Sequence, residues 1–196
     1  MDIRPVTLEG SRVRLEPLSR THHESLCEVG LDENLWRLTT TLIRTPEEMK
    51  NYIETALSEL DGGRALPFAI IEKSSGRGVG STRYANIERS HRRLEIGWTW
   101  VARQWQRTIV NTEAKYLLLT HAFETLGCQR VEFKTDSTNS RSRGALLRIG
   151  AKEEGIFRNH MIVQGGRVRH SVYFSIIDSE WKGVKRGLEE KLARRY

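Results

Sequence analysis

The clearest pattern of apolar and polar positions lies between Leu94 and Leu126. Its first part, 94–101, alternates, and this period of two predicts a strand. The apolar positions assigned to one strand face are Leu94, Ile96, Trp98 and Trp100. From Thr112 onward the chain is apolar on nearly every side, which predicts a buried helix.

A short polar loop connects this strand and this helix. Free amides at a helix N-terminus and the positive end of the helix dipole point the same way, so the arrangement favours anion binding. An ordinary strand-to-helix connection has the same pattern, and both interpretations stand on these residues alone.

Upstream of this stretch, the spacing predicts a strand, two helices and a meander. The first strand covers 11–18, and the helix after it carries Leu26. Thr45-Pro46-Glu47-Glu48 begins the second helix, because Thr45 can cap it and Glu48 completes a capping box. Strands at 68–72 and 79–87 then lead into the Leu94 strand through short loops, which predicts antiparallel pairing.

Downstream, a strand at 130–136 follows the buried helix, and this connection favours parallel pairing with the Leu94 strand. A helix at about 140–149 comes next, and a hairpin and an added C-terminal helix complete the chain. The hairpin strands are 156–163 and 167–177, and the last helix covers about 179–195. We predict an α/β (α+β) fold in one domain, 1–196. Its mixed, mostly antiparallel sheet has about seven strands, with helices on both faces.

Composition narrows the function classes. The chain has 196 residues, 38% of them apolar and 29% charged, as expected for a soluble globular protein. The net charge of +7 is dispersed and not interleaved with aromatic residues, which disfavours direct nucleic-acid binding. Cys27 and Cys128 fit no metal spacing and are interpreted as reduced thiols. With neither an apolar membrane span nor a signal-peptide core, the expected location is cytoplasmic.

Two short sequences carry a family resemblance. The strand reads Leu94-Glu95-Ile96-Gly97-Trp98, and the loop and helix start read Gln106-Arg107-Thr108-Ile109-Val110-Asn111-Thr112-Glu113-Ala114. They resemble the GNAT superfamily of acyl-CoA-dependent N-acetyltransferases, in particular the RimJ/RimL-like branch that acetylates ribosomal protein N-termini. Ile109 stands where the family usually has Gly, and Asn111 where it has Gly or Ala.

The resemblance implies that acetyl-CoA is the co-substrate and that no metal takes part. The residues implied to contact acetyl-CoA are Trp98, Trp100, Val101, Gln106, Arg107, Thr108, Ile109, Val110, Asn111, Thr112, Asn139 and Ser142. Asn139-Ser140-Arg141-Ser142 matches the family's Asn-x-x-Ser. The alternative roles are a helix cap for Asn139 and helix packing for Ser142.

Two residues are the candidates for proton transfer. By resemblance, Ser142 lies near the thioester sulfur and assists the departing thiolate. Glu95 is our candidate for accepting the proton of the incoming amine, and an exposed strand glutamate is the equal alternative. Weaker alternatives are His91, His121 and Tyr173. The predicted acceptor contacts are Trp36, Thr39, Thr40 and Tyr173, with packing as the alternative for Trp36.

The resulting hypothesis is an N-acetyltransferase in which an amine attacks acetyl-CoA directly, without a covalent enzyme intermediate. The expected acceptor is a protein N-terminus. The alternatives are a small-molecule amine such as an antibiotic, and a non-catalytic acyl-CoA-binding domain. No membrane or nucleic-acid partner is expected, and a homodimer is left open.

Ile109 carries a separate expectation. Glycine would allow the backbone to approach a pyrophosphate with unusual torsions, which a β-branched residue resists. Either the loop has relaxed into an ordinary helical turn, or the side chain crowds the phosphate. We expect the first case with weakened binding, so that Ile109→Gly tightens acetyl-CoA binding.

Overall fold

The structure is a computed structural model that describes residues 1–194 of the chain. Within these residues the eight strands are β1 (Leu8–Glu9), β2 (Val13–Pro17), β3 (Leu66–Glu72), β4 (Arg77–Glu88), β5 (Arg93–Val101), β6 (Arg130–Asp136), β7 (Lys152–Ile162) and β8 (Val168–Ile177). The α-helices are α1 (His23–Gly30), α2 (Pro46–Asp61), α3 (Val110–Thr120), α4 (Ser140–Arg148) and α5 (Asp178–Ala193).

All strands form one sheet in the order β1-β2-β3-β4-β5-β6-β8-β7. Only β5 and β6 pair in parallel; the other neighbours are antiparallel, which confirms the predicted meander and the predicted parallel connection. The predicted number of about seven strands is corrected to eight, because the two-residue β1 pairs with β2. The C-terminal helix is present as α5, and position 195 of its predicted range lies outside the described residues.

The starts of α2 and α3 follow different rules. At α2, the Thr45 hydroxyl accepts from the Glu48 amide at 3.2 Å, and the Glu48 carboxylate accepts from the Thr45 amide at 3.1 Å. This confirms the predicted capping box. Helix α3 begins at Val110, two residues before the predicted Thr112, with Ile109 as its N-cap.

Apolar side chains bury both faces of the sheet. On one face, α3, α4 and α5 contribute Leu118, Leu146 and Leu188 to a core that includes Leu94 and Phe133. On the other face, α1 and α2 pack on a second core built from Leu18, Leu26, Trp36, Met49, Ile53 and Trp100. Helices therefore cover both faces, as predicted.

The predicted face assignment of β5 is wrong beyond Gly97. Gly97 pairs with Arg83 and Trp100 with Ser81, so that two residues of β5 face one residue of β4. This β-bulge is centred on Trp98, whose φ is 49°. An extra residue reverses the side on which later side chains lie. Trp100 therefore packs in the α1–α2 core and not with Leu94 and Ile96.

Candidate active site

Strands β5 and β6 pair over a short segment and then part. Their parallel pairing runs from Arg93 with Arg130 to Glu95 with Glu132. Over the rest of the described strands, β5 continues to Val101 and β6 to Asp136 without pairing to each other. We call the space between 96–101 and 133–136 the β5–β6 opening. The bulge lies at its edge, so backbone groups near Trp98 are turned away from a regular ladder.

The loop after β5 brings the start of α3 to this opening. Ile109 has φ −67° and ψ −22°, which are ordinary helical torsions. The left-handed residue of the loop is Arg107, with φ 63°. The loop has therefore relaxed into an ordinary helical turn at position 109, which is the first of the two cases and the one expected. Without strain at position 109, the expected gain from Ile109→Gly loses its cause.

The predicted cofactor residues of this loop differ in exposure. Arg107 and Thr108 are exposed, whereas Val110 and Thr112 are each 3% exposed. A ligand can thus meet the side chains of the first pair, whereas the second pair is enclosed and the Val110 amide donates to Thr108 Oγ1 at 3.3 Å. The first amides of a helix lack intrahelical acceptors and suit an anion. This part of the chain therefore fits a phosphate-bearing co-substrate.

Gln106 links the two sides of the opening. Its Nε2 donates to the Val101 carbonyl at 2.9 Å, and its Oε1 accepts from Arg141 Nη1 at 2.7 Å. Val101 ends β5, whereas Arg141 lies in the first turn of α4. Arg141 is therefore a cation beside the loop that the sequence analysis did not include in the site. Its contact with a residue 35 positions away gave no local signal.

Asn139 and Ser142 lie at the start of α4. Asn139 Oδ1 accepts from the Ser142 amide at 3.0 Å, which confirms the helix-cap alternative for Asn139. The cap uses only the side-chain oxygen, so the Nδ2–H donors can still serve a ligand. Ser142 is half-buried, while Leu146 and Ile149 on its stripe are buried.

Glu95 is buried, with 3% exposure, so the alternative of an exposed strand glutamate is wrong. Its Oε2 accepts from Asn86 Nδ2 at 2.7 Å and lies 3.4 Å from Lys134 Nζ. Asn86 comes from β4 and Lys134 from β6, so three strands position this carboxylate. A Cβ on Gly97 would lie 2.8 Å from Glu95 Oε1, so a larger residue there would displace the carboxylate from this position.

Polar residues of β6, β7 and β8 surround Glu95. Lys134 Nζ lies 5.7 Å from the ring centroid of Tyr173, one of the predicted acceptor contacts. His160 lies beside Tyr173, with 5.8 Å between ring centroids, and its Nδ1 is 2.9 Å from Ser171 Oγ. Burial, followed by the charges of Lys134 and Arg169, lowers the pKa of His160. A neutral His160 is a possible proton acceptor that the sequence analysis missed.

The predicted contacts between α1 and α2 have mainly structural roles. Trp36 is 2% exposed, donates through Nε1 to the Gly30 carbonyl at 2.8 Å, and packs on Trp100 with ring centroids 5.2 Å apart. This is the packing alternative for Trp36. Thr39 Oγ1 donates to the Trp36 carbonyl at 2.9 Å, and Gln164 Nε2 lies 3.4 Å from the Thr39 carbonyl. Thr40 is exposed beside them.

The two weaker histidine candidates lie apart from the opening. His91 is in the turn between β4 and β5, next to the end where β5 and β6 pair. His121 stacks on Tyr84 with ring centroids 6.0 Å apart, and burial lowers its pKa. His121 is therefore a packed residue of the core, and His91 is exposed at the far end of the strand.

A cleft of about 300 Å³ opens beside the bulge. Arg83 lies between two of its aromatic side chains, 5.2 Å from the Tyr52 centroid and 5.1 Å from the Trp98 centroid. Arg83 Nη1 donates to Glu59 Oε2 at 2.7 Å. The cleft connects the α2 surface with Trp98 and offers both aromatic and charged groups.

Residues 1–194 contain neither a candidate metal site nor a candidate membrane-spanning helix. No group of three or more His, Cys, Asp or Glu side chains there could hold a metal ion. None of the described helices is both long enough and apolar enough to cross a membrane.

The family profile for the acetyltransferase (GNAT) domain matches residues 12–152. The chain therefore belongs to the GNAT acetyltransferase family and is an N-acetyltransferase. YdaF of Bacillus subtilis (strain 168), named as a candidate ribosomal N-acetyltransferase, is 37% identical over 101 residues. That alignment covers 51% of this chain and 54% of YdaF, so it spans about half of each protein.

Solved structures support the same fold. A GCN5-related N-acetyltransferase from Brucella melitensis is 32% identical, with a TM-score of 0.91 over 97% of this chain and 87% of that one. Mycobacterium smegmatis RimJ in complex with CoA-disulfide is 23% identical, with a TM-score of 0.82 over 95% of each chain. At this identity, the likeness to RimJ shows the fold alone.

Proposed function

We propose that this N-acetyltransferase transfers the acetyl group of acetyl-CoA to the N-terminal amine of a protein. The observation that carries the proposal is the β5–β6 opening, which connects the start of α3 with buried Glu95. The name of YdaF supports the acceptor, and membership of the GNAT acetyltransferase family supports acetyl-CoA as the co-substrate.

The residues that would hold acetyl-CoA lie along one side of the opening. The amides at the start of α3 face the pyrophosphate, and Arg107 adds positive charge. Gln106 and Arg141 join the ends of β5 and α4, so they set the width of the entrance. Asn139 Nδ2 donates to the pantetheine arm. Trp100 is buried, so we assign it a supporting role behind the bulge.

Acetyl-CoA supplies an acetyl group activated as a thioester. Backbone amides of Trp98 and Val101 donate to the carbonyl oxygen, where negative charge develops, and such preorganised donors contribute a few kcal/mol. Glu95 accepts the proton that the attacking amine loses, directly or through water. Ser142 donates a hydrogen bond to the sulfur as the thiolate leaves.

The acceptor approaches from the face that carries α1 and α2. The cleft beside Trp98 and the side chain of Tyr173 lie on this face, as do Glu95 and Lys134. Thr39 contributes to the wall of the entrance, where Gln164 of the β7–β8 turn meets it. An extended chain end fits such an entrance, because its N-terminal amine can reach Glu95 first.

The test is calorimetric titration with acetyl-CoA, followed by a thiol-release screen of N-terminal peptides and small amines. We expect binding, stabilisation of the fold by ligand, and turnover with peptides. Turnover with small amines alone would favour the antibiotic-type alternative. Binding without turnover would favour the non-catalytic domain, and the absence of binding would overturn the co-substrate assignment.

A further inference from the structure

Lys115 lies on the α3 side of the β5–β6 opening and has no role in the scheme above. Its side chain is buried, with 5% exposure. Nζ donates to Thr99 Oγ1 at 2.7 Å and lies 5.8 Å from the ring centroid of Phe133. Thr99 belongs to β5 and Phe133 to β6, and both lie past the last parallel pair. The amine is therefore held between the two strands where they part.

No carboxylate faces this amine from the strands packed against it. The facing groups are the hydroxyls of Thr82 on β4 and Thr99 on β5, 2.7 Å apart, and the ring of Phe133 on β6. On α3 itself, Glu113 is turned to the β1–β2 turn, where it accepts from the Ser11 amide at 2.7 Å and the Arg12 amide at 3.0 Å. Burial lowers the pKa of Lys115 to about 7.

The buried ion pair nearest the opening lies on the opposite face of the sheet, and the cations Arg107 and Arg141 beside the loop supply no counter-charge. Glu95 and Lys134 point to that face, whereas Leu94, Ile96 and Phe133 belong to the α3 core. Lys115 is thus a buried cation without a counter-ion within the described residues. Such a group costs folding free energy, and a methionine would fill the same position without this cost. A polar ligand in the opening would meet its remaining N–H donors.

The proposed transfer also lacks a source for one proton. Ser142 can donate a hydrogen bond to the departing sulfur, but a serine hydroxyl is too weak an acid to give up its proton at neutral pH. We propose that Lys115 supplies the proton that the CoA thiolate takes up, a role that rests on the acetyl transfer proposed above. Asn139 and Ser142 then position the sulfur, and Lys115 neutralises it.

In the proposed step one bond forms, one bond breaks and two protons move. The acceptor nitrogen forms the new C–N bond, the C–S bond breaks, and its electron pair goes to sulfur. Lys115 Nζ gives one proton to sulfur, while Glu95 takes one proton from the acceptor nitrogen. Water returns the proton from Glu95 to the solvent and restores the one lost by Lys115.

The acidity of Lys115 suits this transfer. An unperturbed thiol has a pKa of about 8.5, so the thiolate is the stronger base and takes the proton from a lysine whose pKa is about 7. A positioned acid with a pKa near the working pH contributes on the order of 100-fold or more.

The test compares Lys115→Met with Lys185→Met in the full chain. Lys185 lies on α5, where it pairs with Glu124 at 2.7 Å, and serves as the matched control for loss of one lysine. We expect Lys115→Met to bind acetyl-CoA with a Kd within about threefold of wild type and to lose on the order of 100-fold in kcat. Lys185→Met should keep wild-type values of both.

The pH profile separates proton donation from packing. The charged form of Lys115 is the active form, so wild-type kcat should fall as the pH rises above about 7. Lys115→Met should lack this falling limb.

Three results would overturn the proposal while leaving acetyl transfer intact. They are an unchanged kcat in Lys115→Met, an equal loss in Lys185→Met, and a falling limb that persists in Lys115→Met. If wild-type protein neither binds acetyl-CoA nor releases thiol, the proposed function itself fails, and with it the role of Lys115. Calorimetry on wild type therefore distinguishes the two failures.

Discussion

The two sides of the β5–β6 opening each hold a buried ionisable side chain, and the two side chains differ in their partners. On the side facing α1 and α2, the Glu95 carboxylate has two partners, Asn86 Nδ2 at 2.7 Å and Lys134 Nζ at 3.4 Å. On the α3 side, the Lys115 amine has one neutral hydroxyl partner, Thr99, at 2.7 Å. The same few strand residues thus separate a compensated anion from an uncompensated cation.

This difference shows how a fold can assign distinct tasks to two buried groups. A paired group is held in place by its partners, and Asn86 and Lys134 fix the position of the Glu95 carboxylate. An unpaired charge responds to whatever enters its surroundings, because burial makes both forms nearly equal in free energy. Glu95 is therefore positioned to accept a proton from the acceptor amine, and Lys115 to respond to a leaving group.

The largest expected effect is on the Glu95 side. Glu95→Gln keeps the size and the Asn86 contact but removes the proton-accepting oxygen. We expect kcat to fall on the order of 100-fold or more, since general base catalysis contributes this much. Steady-state kinetics with a responsive peptide measures the effect.

Glu132→Gln is the matched control for that variant. Glu132 is the β6 residue that pairs with Glu95 of β5, but Arg130 Nε donates to its carboxylate at 2.8 Å. Its activity should stay close to wild type. A wild-type kcat in Glu95→Gln would transfer the role of base to another group, with His160 as the next residue to replace.

The second effect concerns stability on the Lys115 side. Lys115→Met removes an unpaired buried charge, so the free energy of unfolding at neutral pH should rise by about 2 kcal/mol. Below pH 7 the lysine is charged in both states and its cost to the folded state is complete. Between pH 7 and about pH 10.4, the unfolded chain still binds a proton that the folded chain has lost. The free energy of unfolding of wild type therefore rises as the pH increases through this range.

The advantage of Lys115→Met should therefore shrink as the pH rises above neutrality. Denaturant unfolding of both proteins at several pH values measures it. A difference that is independent of pH would mean that Lys115 binds the same number of protons in the folded and the unfolded protein, so that its pKa is not lowered by burial. A less stable variant would mean that the amine makes stronger contacts than the Thr99 bond.

A smaller effect is expected at Ser142. Ser142→Ala should lower kcat about tenfold, because the hydroxyl assists the sulfur mainly in the transition state. The Kd for acetyl-CoA should change little. An unaltered kcat, with the chemical step shown to be rate-limiting, would leave Ser142 with a packing role on α4.

The smallest effects lie in the loop that starts α3. Arg107 has φ 63°, so Arg107→Gly should stabilise the fold by about 1 kcal/mol while weakening acetyl-CoA binding through loss of charge.

Ile109 is helical, so Ile109→Gly should cost about 0.5–1 kcal/mol of stability and should not tighten binding. For Arg107→Gly and for Ile109→Gly, thermal unfolding measures the change in stability and calorimetric titration measures the change in acetyl-CoA affinity. Tighter binding by Ile109→Gly would mean that the isoleucine side chain, and not its torsions, hinders the ligand.

Features governed by neighbours along the chain could be predicted from the sequence. The capping box at Thr45 and Glu48 depends on residues three apart, and it forms as expected.

Features governed by partners on other strands could not be predicted. The bulge at Trp98 depends on how β4 pairs with β5, and the alternating pattern gives no sign of it. The burial of Glu95 depends on Asn86 and Lys134, which local spacing does not connect to it. Lys115 was missed because a lysine on a predicted helix normally marks its exposed face, whereas this one is 5% exposed.

The parallel pairing of β5 with β6 also divides the sheet into two parts that are continuous in sequence. Strands β1 to β5 and helices α1 to α3 all precede Gly127, while β6 to β8 and the last two helices all follow Cys128. The sheet therefore joins two consecutive lengths of polypeptide through the pairs Arg93–Arg130, Leu94–Val131 and Glu95–Glu132. A cut between Gly127 and Gln129 would give two fragments with complementary edges. A molecule bound in the opening touches both, so fragment reassembly would act as a sensor of that molecule.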